Sequence, residues 1–95
     1  MQNIHGRTEK GYKIVISVPT TIFDSRYGEI KAYAGEKEVD RIYFQCKSMP
    51  RWDEPAQAIM LSRRDEQLMI KRENQLLARL PDVTHKNYKY KIPLI

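Results

Sequence analysis

Residues 29–47 read EIKAYAGEKEVDRIYFQCK, and this segment decides the fold. Polar and apolar side chains alternate in its first part, 29–34, and again in its last part, 39–47. Alternation with a period of two is typical of β-strands and the intervening GEKE is typical of a turn, so the segment predicts a β-hairpin. The side chains expected to face the core are Ile30, Ala32, Ala34, Ile42, Phe44 and Cys46. Those expected to face outward are Lys31, Tyr33, Arg41, Tyr43, Gln45 and Lys47.

Two further strands are predicted, one on each side of this hairpin. Residues 12–18, YKIVISV, alternate and are rich in β-branched side chains, as strands are. Residues 88–92, YKYKI, alternate in the same way and predict a final strand. Residues 1–11 are polar and contain two glycines, so we expect them to form a flexible arm.

A helix is expected between the hairpin and the last strand. Asp53 suits an N-cap, and Pro55 suits the first helical turn, where its missing N–H costs no hydrogen bond. Ser62 begins a second pattern with the spacing of a capping box. The spacing of apolar residues therefore fits either one continuous helix or two helices, over 54–61 and 63–80.

These elements predict a small single α+β domain over residues 1–95. It would contain an antiparallel sheet of three to four strands, with one long helix, continuous or broken, packed on one face. The 95 residues include 17 Lys and Arg against 12 Asp and Glu, a formal net charge of +5. The single cysteine excludes a disulfide framework within the chain, and no apolar run reaches the roughly 18–20 residues of a membrane span. We expect a cytoplasmic protein, because the first residues contain no apolar signal-peptide core.

The strongest functional signal is the polar face of the segment 63–80. When residues are placed at about 100° intervals, the side opposite the apolar stripe contains no carboxylate. Arg, Lys and Gln side chains donate hydrogen bonds to phosphates and reach base edges. The candidate nucleic-acid contacts on this face are Arg63, Arg64, Gln67, Lys71 and Gln75. The alternative is a solvated face, since these residue types also favour helices.

The outward face of the predicted hairpin is a second basic surface. Its cations alternate with tyrosines, and aromatic rings on an open sheet can stack bases while the cations neutralise phosphates. Arg41, Tyr43 and Lys47 are the candidate nucleic-acid contacts here. The alternative is that the tyrosines favour the strand conformation and cover the aliphatic stems of the lysines. If the helix face and the sheet face lie on opposite sides of the domain, they cannot bind the same ligand.

A third candidate surface would contact another protein. Arg51 and Trp52 lie between the sheet and the helix, and these residue types are common anchors of protein interfaces. Tyr33 is the third candidate in this set. The alternative for Trp52 is that it folds back over the edge of the core. A homodimer is also compatible with the sequence, because the hairpin edge and the wide apolar stripe of the helix are surfaces that a second copy can contact.

The sequence contains no catalytic or metal-binding constellation. His5 and His85 stand alone, without the local spacing of metal ligands. Cys46 alternates onto the inward face, where a small buried thiol is the expectation.

The expected function is therefore non-enzymatic and needs no cofactor. We expect the basic surfaces to bind nucleic acid, or the acidic surface of a nucleic-acid-handling complex. The alternative is an inhibitor or adaptor of the phage or mobile-element type, which binds a host enzyme by direct protein contact. A small ribonuclease that uses His85 and Tyr88 is a further alternative.

Overall fold

The computed structural model describes residues 1–20 and 25–81. The elements of this part are β1 (Gln2–Glu9), β2 (Tyr12–Val18), β3 (Tyr27–Ala34), β4 (Lys37–Gln45), β5 (Arg51–Asp53), β6 (Ala58–Met60) and α1 (Arg63–Arg79). The first four strands form one antiparallel sheet in the order β1-β2-β3-β4, and β5 pairs with β6. The predicted α+β class, with a helix packed against an antiparallel sheet, is confirmed. The predicted strand over 88–92 lies outside the described residues.

The core lies between α1 and one face of the sheet. β2 has the predicted limits, and the β3–β4 hairpin is also confirmed. The buried core side chains of the sheet region are Tyr12, Ile14, Ile16, Val18, Ile30, Ala32, Phe44 and Cys46, and Ile42 packs against them half-buried. The prediction of an inward Ala34 was wrong, because Ala34 is the last residue of β3, beside the turn, and is exposed there.

The first residues form a strand at the edge of the described sheet, and the prediction of an arm was wrong for them. β1 pairs with β2 along its length, with Glu9 opposite Tyr12. Lys10 and Gly11 join the two strands with φ angles of 55° and 87°, the left-handed conformation that type I′ hairpin turns require. An edge strand tolerates polar side chains, so the composition that predicted an arm is compatible with a strand at this position.

The prediction of a helix over 54–61, either separate or continuous with 63–80, was wrong, because this segment belongs to the hairpin β5–β6. The carboxylate of Asp53 accepts a hydrogen bond from the backbone N–H of Ala56 at 3.0 Å, which stabilises the turn. Pro55 lies within that turn, where its fixed φ is as favourable as in the first turn of a helix. Asp53 and Pro55 therefore support a β-turn through the same properties that suit a helix start.

The second predicted helix is confirmed as α1. Its N-cap is Ser62, whose side chain accepts a hydrogen bond from the backbone N–H of Asp65 at 3.2 Å. The buried residues of α1 are Asp65, Glu73 and Leu76. Two of the three acids of this segment therefore point into the protein, and the polar face lacks carboxylates for this reason.

Polar contacts tie the C-terminal half of α1 to the first hairpin. Lys10 Nζ donates hydrogen bonds to the carbonyl oxygens of Leu77 at 2.7 Å and Leu80 at 3.3 Å. A cation at this end of a helix also interacts favourably with the helix dipole. Arg7 Nη2 lies 2.8 Å from Oε2 of the buried Glu73, although the angle does not suit a hydrogen bond. This ion pair offsets the charge of a carboxylate that has left water.

Candidate functional site

A groove lies where β3 begins and β4 ends, beside the N-terminal half of α1. Its volume is about 540 Å³. The residues that line it are Arg26, Tyr27, Tyr43, Phe44, Gln45, Cys46, Lys47, Arg64, Leu68 and Arg72. Four of these described residues are cations and none is acidic. The Asp65 carboxylate lies 3.5 Å from Arg64 Nη1, but the lining itself carries an excess of positive charge, which favours an anionic ligand.

The helix contributes one row of side chains to this groove. Arg64, Leu68 and Arg72 are spaced by four residues, so they lie above one another on one side of α1. At 1.5 Å per residue, Arg64 and Arg72 are about 12 Å apart along the helix axis. The side chain of Arg64 is 63% exposed, and Arg72 Nη1 donates to Oε1 of Gln75 at 2.8 Å. The row thus presents two guanidinium groups on either side of an apolar residue.

Two tyrosines on the outer face of the sheet also line the groove. The cross-strand partner of Tyr27 is Gln45, two residues after Tyr43, so the two tyrosines are diagonal neighbours on one face. Tyr27 is 46% exposed and Tyr43 is 47% exposed. The guanidinium carbon of Arg41 lies 5.9 Å from the centroid of the Tyr43 ring, and Arg41 Nη1 donates to the Tyr43 hydroxyl at 3.0 Å. Both tyrosines are therefore exposed, and Arg41 holds the ring of Tyr43 in orientation.

Asp65 fixes the loop after β4 against the start of α1. Its buried carboxylate accepts hydrogen bonds from the backbone N–H groups of Lys47 at 3.0 Å and Ser48 at 3.1 Å. Burial by itself would raise the pKa of Asp65. Together, these two hydrogen bonds, the Ser62 hydroxyl and the charge of Arg64 outweigh burial and hold the pKa of Asp65 below its ordinary value. Asp65 thus holds Lys47, a lining residue, against the start of α1.

Arg26 is held beside the end of β4 by two hydrogen bonds. Its carbonyl oxygen accepts from the backbone N–H of Cys46 at 2.7 Å, and its Nη1 donates to the carbonyl oxygen of Lys47 at 2.9 Å. Cys46 is buried, as predicted. Burial, followed by the negative charge of Asp65, raises the pKa of the Cys46 thiol to about 11, so the thiol stays neutral at physiological pH.

The helix residues predicted to contact nucleic acid divide into two groups. Arg64 lines the groove. Arg63, Gln67 and Lys71 are exposed, as predicted, but they do not line it. Gln75 is also exposed and acts as the acceptor for a lining arginine.

The predicted sheet residues also divide. Tyr43 and Lys47 line the groove, whereas Arg41 lies beside it. Arg41 Nη2 is 2.6 Å from Oε1 of Glu38, and its Nη1 is 3.0 Å from Oε2 of Glu29. The hydrogen bond from Arg41 holds the pKa of Glu38 below its ordinary value. The charge of Arg41 is therefore balanced locally, and the outer face is less basic than its sequence indicates.

The two predicted basic surfaces meet in the groove, because Arg64 of the helix and Lys47 of the sheet both line it. Among the cations and exposed tyrosines of the lining, three were not predicted from the sequence: Arg26, Tyr27 and Arg72. The outward position of Tyr27 was predictable from the sequence, because the alternation of the hairpin, extended two residues before Glu29, places Tyr27 on the outward face. Arg72 lies eight residues after Arg64, at the edge of the apolar stripe, and Arg26 carries no periodic signal.

The predicted protein-binding residues do not form one surface. Trp52 is 49% exposed on the hairpin β5–β6, and its Nε1 donates to Oε1 of Glu54 at 3.1 Å. Arg51 is exposed and pairs with Met60, which is 48% exposed. Tyr33 lines a different depression, of about 350 Å³, on the outer face of the sheet. The structure thus brings Arg51 and Trp52 together and places Tyr33 elsewhere.

Residues 1–20 and 25–81 contain neither a metal-ligand cluster nor a helix suited to span a membrane. In this part of the chain, no group of three or more His, Cys, Asp or Glu side chains is placed to hold a metal ion. No helix of this part combines the length and the apolar character of a membrane span. His85 and Tyr88, the residues of the ribonuclease alternative, lie outside the described residues.

Comparison of the chain with protein-family models, with curated proteins and with solved structures found no match. The function is therefore argued from the geometry and charge of the groove.

Proposed function

We propose that the protein is a cytoplasmic, non-enzymatic protein that binds nucleic acid in the groove beside the end of β4 and the N-terminal half of α1. The observation that carries this proposal is the grouping of four cations and two exposed tyrosines around a groove whose described lining contains no acid. Cations neutralise phosphates, and aromatic rings provide surfaces on which bases stack. Nucleic acid carries phosphates and bases together, so one ligand contacts both the cations and the rings.

Phosphate contacts are expected to supply most of the affinity. Each neutralised phosphate of a single strand contributes a slope of about −0.7 to the dependence of log affinity on log salt. Four contacts give a slope of about −2.8, which is a loss of about 50-fold between about 50 and 200 mM salt. A weak salt dependence would show that the four cations do not act together on one ligand.

The double substitution Arg64→Gln/Arg72→Gln is expected to weaken binding about tenfold or more, and equally for all sequences, because phosphate contacts carry no sequence information. The salt slope should become shallower by about 1.4, since two contacts are lost. Fluorescence anisotropy with labelled oligonucleotides at two salt concentrations measures both quantities.

The matched control is Arg63→Gln/Lys71→Gln, which removes the same charge from the same helix outside the groove. Affinity and salt slope should change little in this variant. If the control weakens binding as much as the groove variant does, the exposed helix face is the binding surface and the groove is not. Circular dichroism of both variants verifies that α1 is intact.

Binding of another protein is a second candidate function, and the exposure of Trp52 and Met60 on one hairpin favours it. Exposed aromatic and Met side chains beside an arginine have the composition of an interface centre. A stoichiometric complex recovered from a lysate should be lost in Trp52→Ala and retained in Arg64→Gln/Arg72→Gln. Loss in the groove variant alone would assign the complex to the groove.

A further inference from the structure

Tyr27 and Tyr43 have no part in the core, yet each exposes nearly half of its surface beside the groove. Burial of an aromatic ring is favourable, so two neighbouring exposed rings are a surface on which a flat ligand group can gain contact area. Tyr33, at the other end of the same strand, is half-buried and lies outside the groove. The exposed pair is therefore confined to the end of the sheet where the cations are.

Arg41 acts as a positioning residue for Tyr43. It is itself fixed by two hydrogen bonds to Glu38, Nε to Oε2 at 2.7 Å and Nη2 to Oε1 at 2.6 Å. Its Nη1 then holds the hydroxyl of Tyr43 at 3.0 Å. A ring that is already oriented loses little side-chain freedom when a ligand stacks on it, so the arrangement favours stacking.

Duplex nucleic acid does not offer base faces on which these rings can stack. The faces of its bases are covered by neighbouring base pairs, and only base edges are accessible in the grooves. The major groove, about 12 Å wide, admits a helix. A duplex would therefore meet the exposed side of α1 that carries Arg63, Gln67 and Lys71, instead of the groove. A single strand, in contrast, offers base faces to the rings and phosphates to the cations.

We infer, on the basis of the proposed function, that the groove selects single-stranded over duplex nucleic acid. Bases stack on Tyr27 and Tyr43, while the phosphates follow the row that includes Arg64 and Arg72. This row is about 12 Å long, which corresponds to three to four nucleotides at about 3.4 Å per stacked residue. The site is thus short and tolerant of sequence, because every base has a face that stacks.

The test measures the affinity of the whole protein for labelled oligothymidylates of increasing length and for a duplex, by fluorescence anisotropy at low salt. Affinity should rise steeply up to about four nucleotides and slowly beyond that length. The single strand should bind at least about tenfold more tightly than the duplex, since stacking on an aromatic side chain is lost in the duplex.

Tyrosine variants identify the surface that stacks. Tyr27→Leu and Tyr43→Leu should each weaken single-strand binding by between about 5-fold and 100-fold. Tyr43→Phe should retain most of the affinity, because it keeps the ring. Tyr33→Leu is the matched control on the same face outside the groove and should bind like the wild type.

The outcomes separate this inference from the proposed function. Equal affinity for duplex and single strand, with no effect of the tyrosine substitutions, would overturn the inference. The proposed function would still stand if Arg64→Gln/Arg72→Gln weakened that binding. Failure to bind any oligonucleotide at about 50 mM salt, where phosphate contacts are strong, would overturn both.

Discussion

Replacing Asp65 by alanine is expected to lower the free energy of unfolding by about 3 kcal/mol. The carboxylate is fully buried and accepts hydrogen bonds from the backbone N–H groups of Lys47 and Ser48 at 3.0 and 3.1 Å. A hydrogen bond to a charged group contributes about 1.5–3 kcal/mol, and alanine leaves both N–H groups without this acceptor. The melting temperature should fall by more than about 10 °C, at about 4–8 °C per kcal/mol for a domain of this size. Urea denaturation measures the loss directly.

The matched control for this variant is Glu66→Ala. Glu66 lies in the same first turn of α1 and is exposed, so it shares the interaction with the helix dipole but not the contacts with the loop. Its loss should cost no more than about 1 kcal/mol. Equal destabilisation of the two variants would show that Asp65 acts through the dipole and does not hold the loop.

The contribution of Asp65 is also expected to disappear in acid. Although burial raises the pKa of Asp65, its hydrogen bonds with Lys47 and Ser48 lower the net value below the ordinary 3.8. A carboxyl group with a lowered pKa in the folded state stabilises fully above its unfolded pKa, and this contribution is lost as the pH falls through the folded pKa. The stability of the wild type should therefore decline below about pH 4. Asp65→Asn should remove part of that decline, and identical pH profiles for the two proteins would contradict this account.

The second large effect is expected at Gly28, which faces the ring of Phe44 across the β3–β4 pair. A Cβ at this position would lie 2.5 Å from Cε1 and 2.8 Å from Cε2 of Phe44, and closer still to Cζ. Phe44 is 1% exposed and cannot move aside without disturbing the core. Gly28→Ala should therefore cost about 2–3 kcal/mol, as overpacking of a core does.

Gly6→Ala makes the same chemical change in β1 and is the control for Gly28→Ala. A Cβ at Gly6 would meet the carbonyl oxygen of Ile14 at 3.9 Å, which is an ordinary contact. This substitution should be neutral or slightly stabilising, because it reduces the freedom of the unfolded chain. Thermal melts of both variants suffice, and Phe44→Leu should reduce the cost at Gly28 if the ring is its cause.

The sequence was sufficient to predict the elements that bury one face against the core. β2 and the β3–β4 hairpin pack one face on the core, and this burial imposes the period of two that the sequence displays. α1 begins at Ser62, where the capping residue and the apolar spacing agree. The strands β5 and β6 have three residues each, which is too few for a period to show. Asp53 and Pro55 then favour a helix start and a turn equally, so only the surrounding structure decides between them.

The groove was only partly predictable, because its residues come from three separate segments, 26–27, 43–47 and 64–72. Asp65 holds the segment 43–47 close to the segment 64–72. The helical wheel places Asp65 on the apolar side, but it does not indicate that backbone N–H groups donate hydrogen bonds to its carboxylate there. Composition likewise overstated the charge of the outer sheet face. The carboxylates that pair with Arg41 lie next to it only once the strands are in register.

The contacts of Lys10 with the end of α1 have a consequence for how the chain is made. They join positions 67 and 70 residues apart, so the first hairpin is synthesised long before the helix that it anchors. At about 5–20 residues per second, translation separates the two by about 4–14 s. During this interval the apolar face of β2 is on the nascent chain without the helix that completes the core. The core is therefore completed only after α1 has been synthesised.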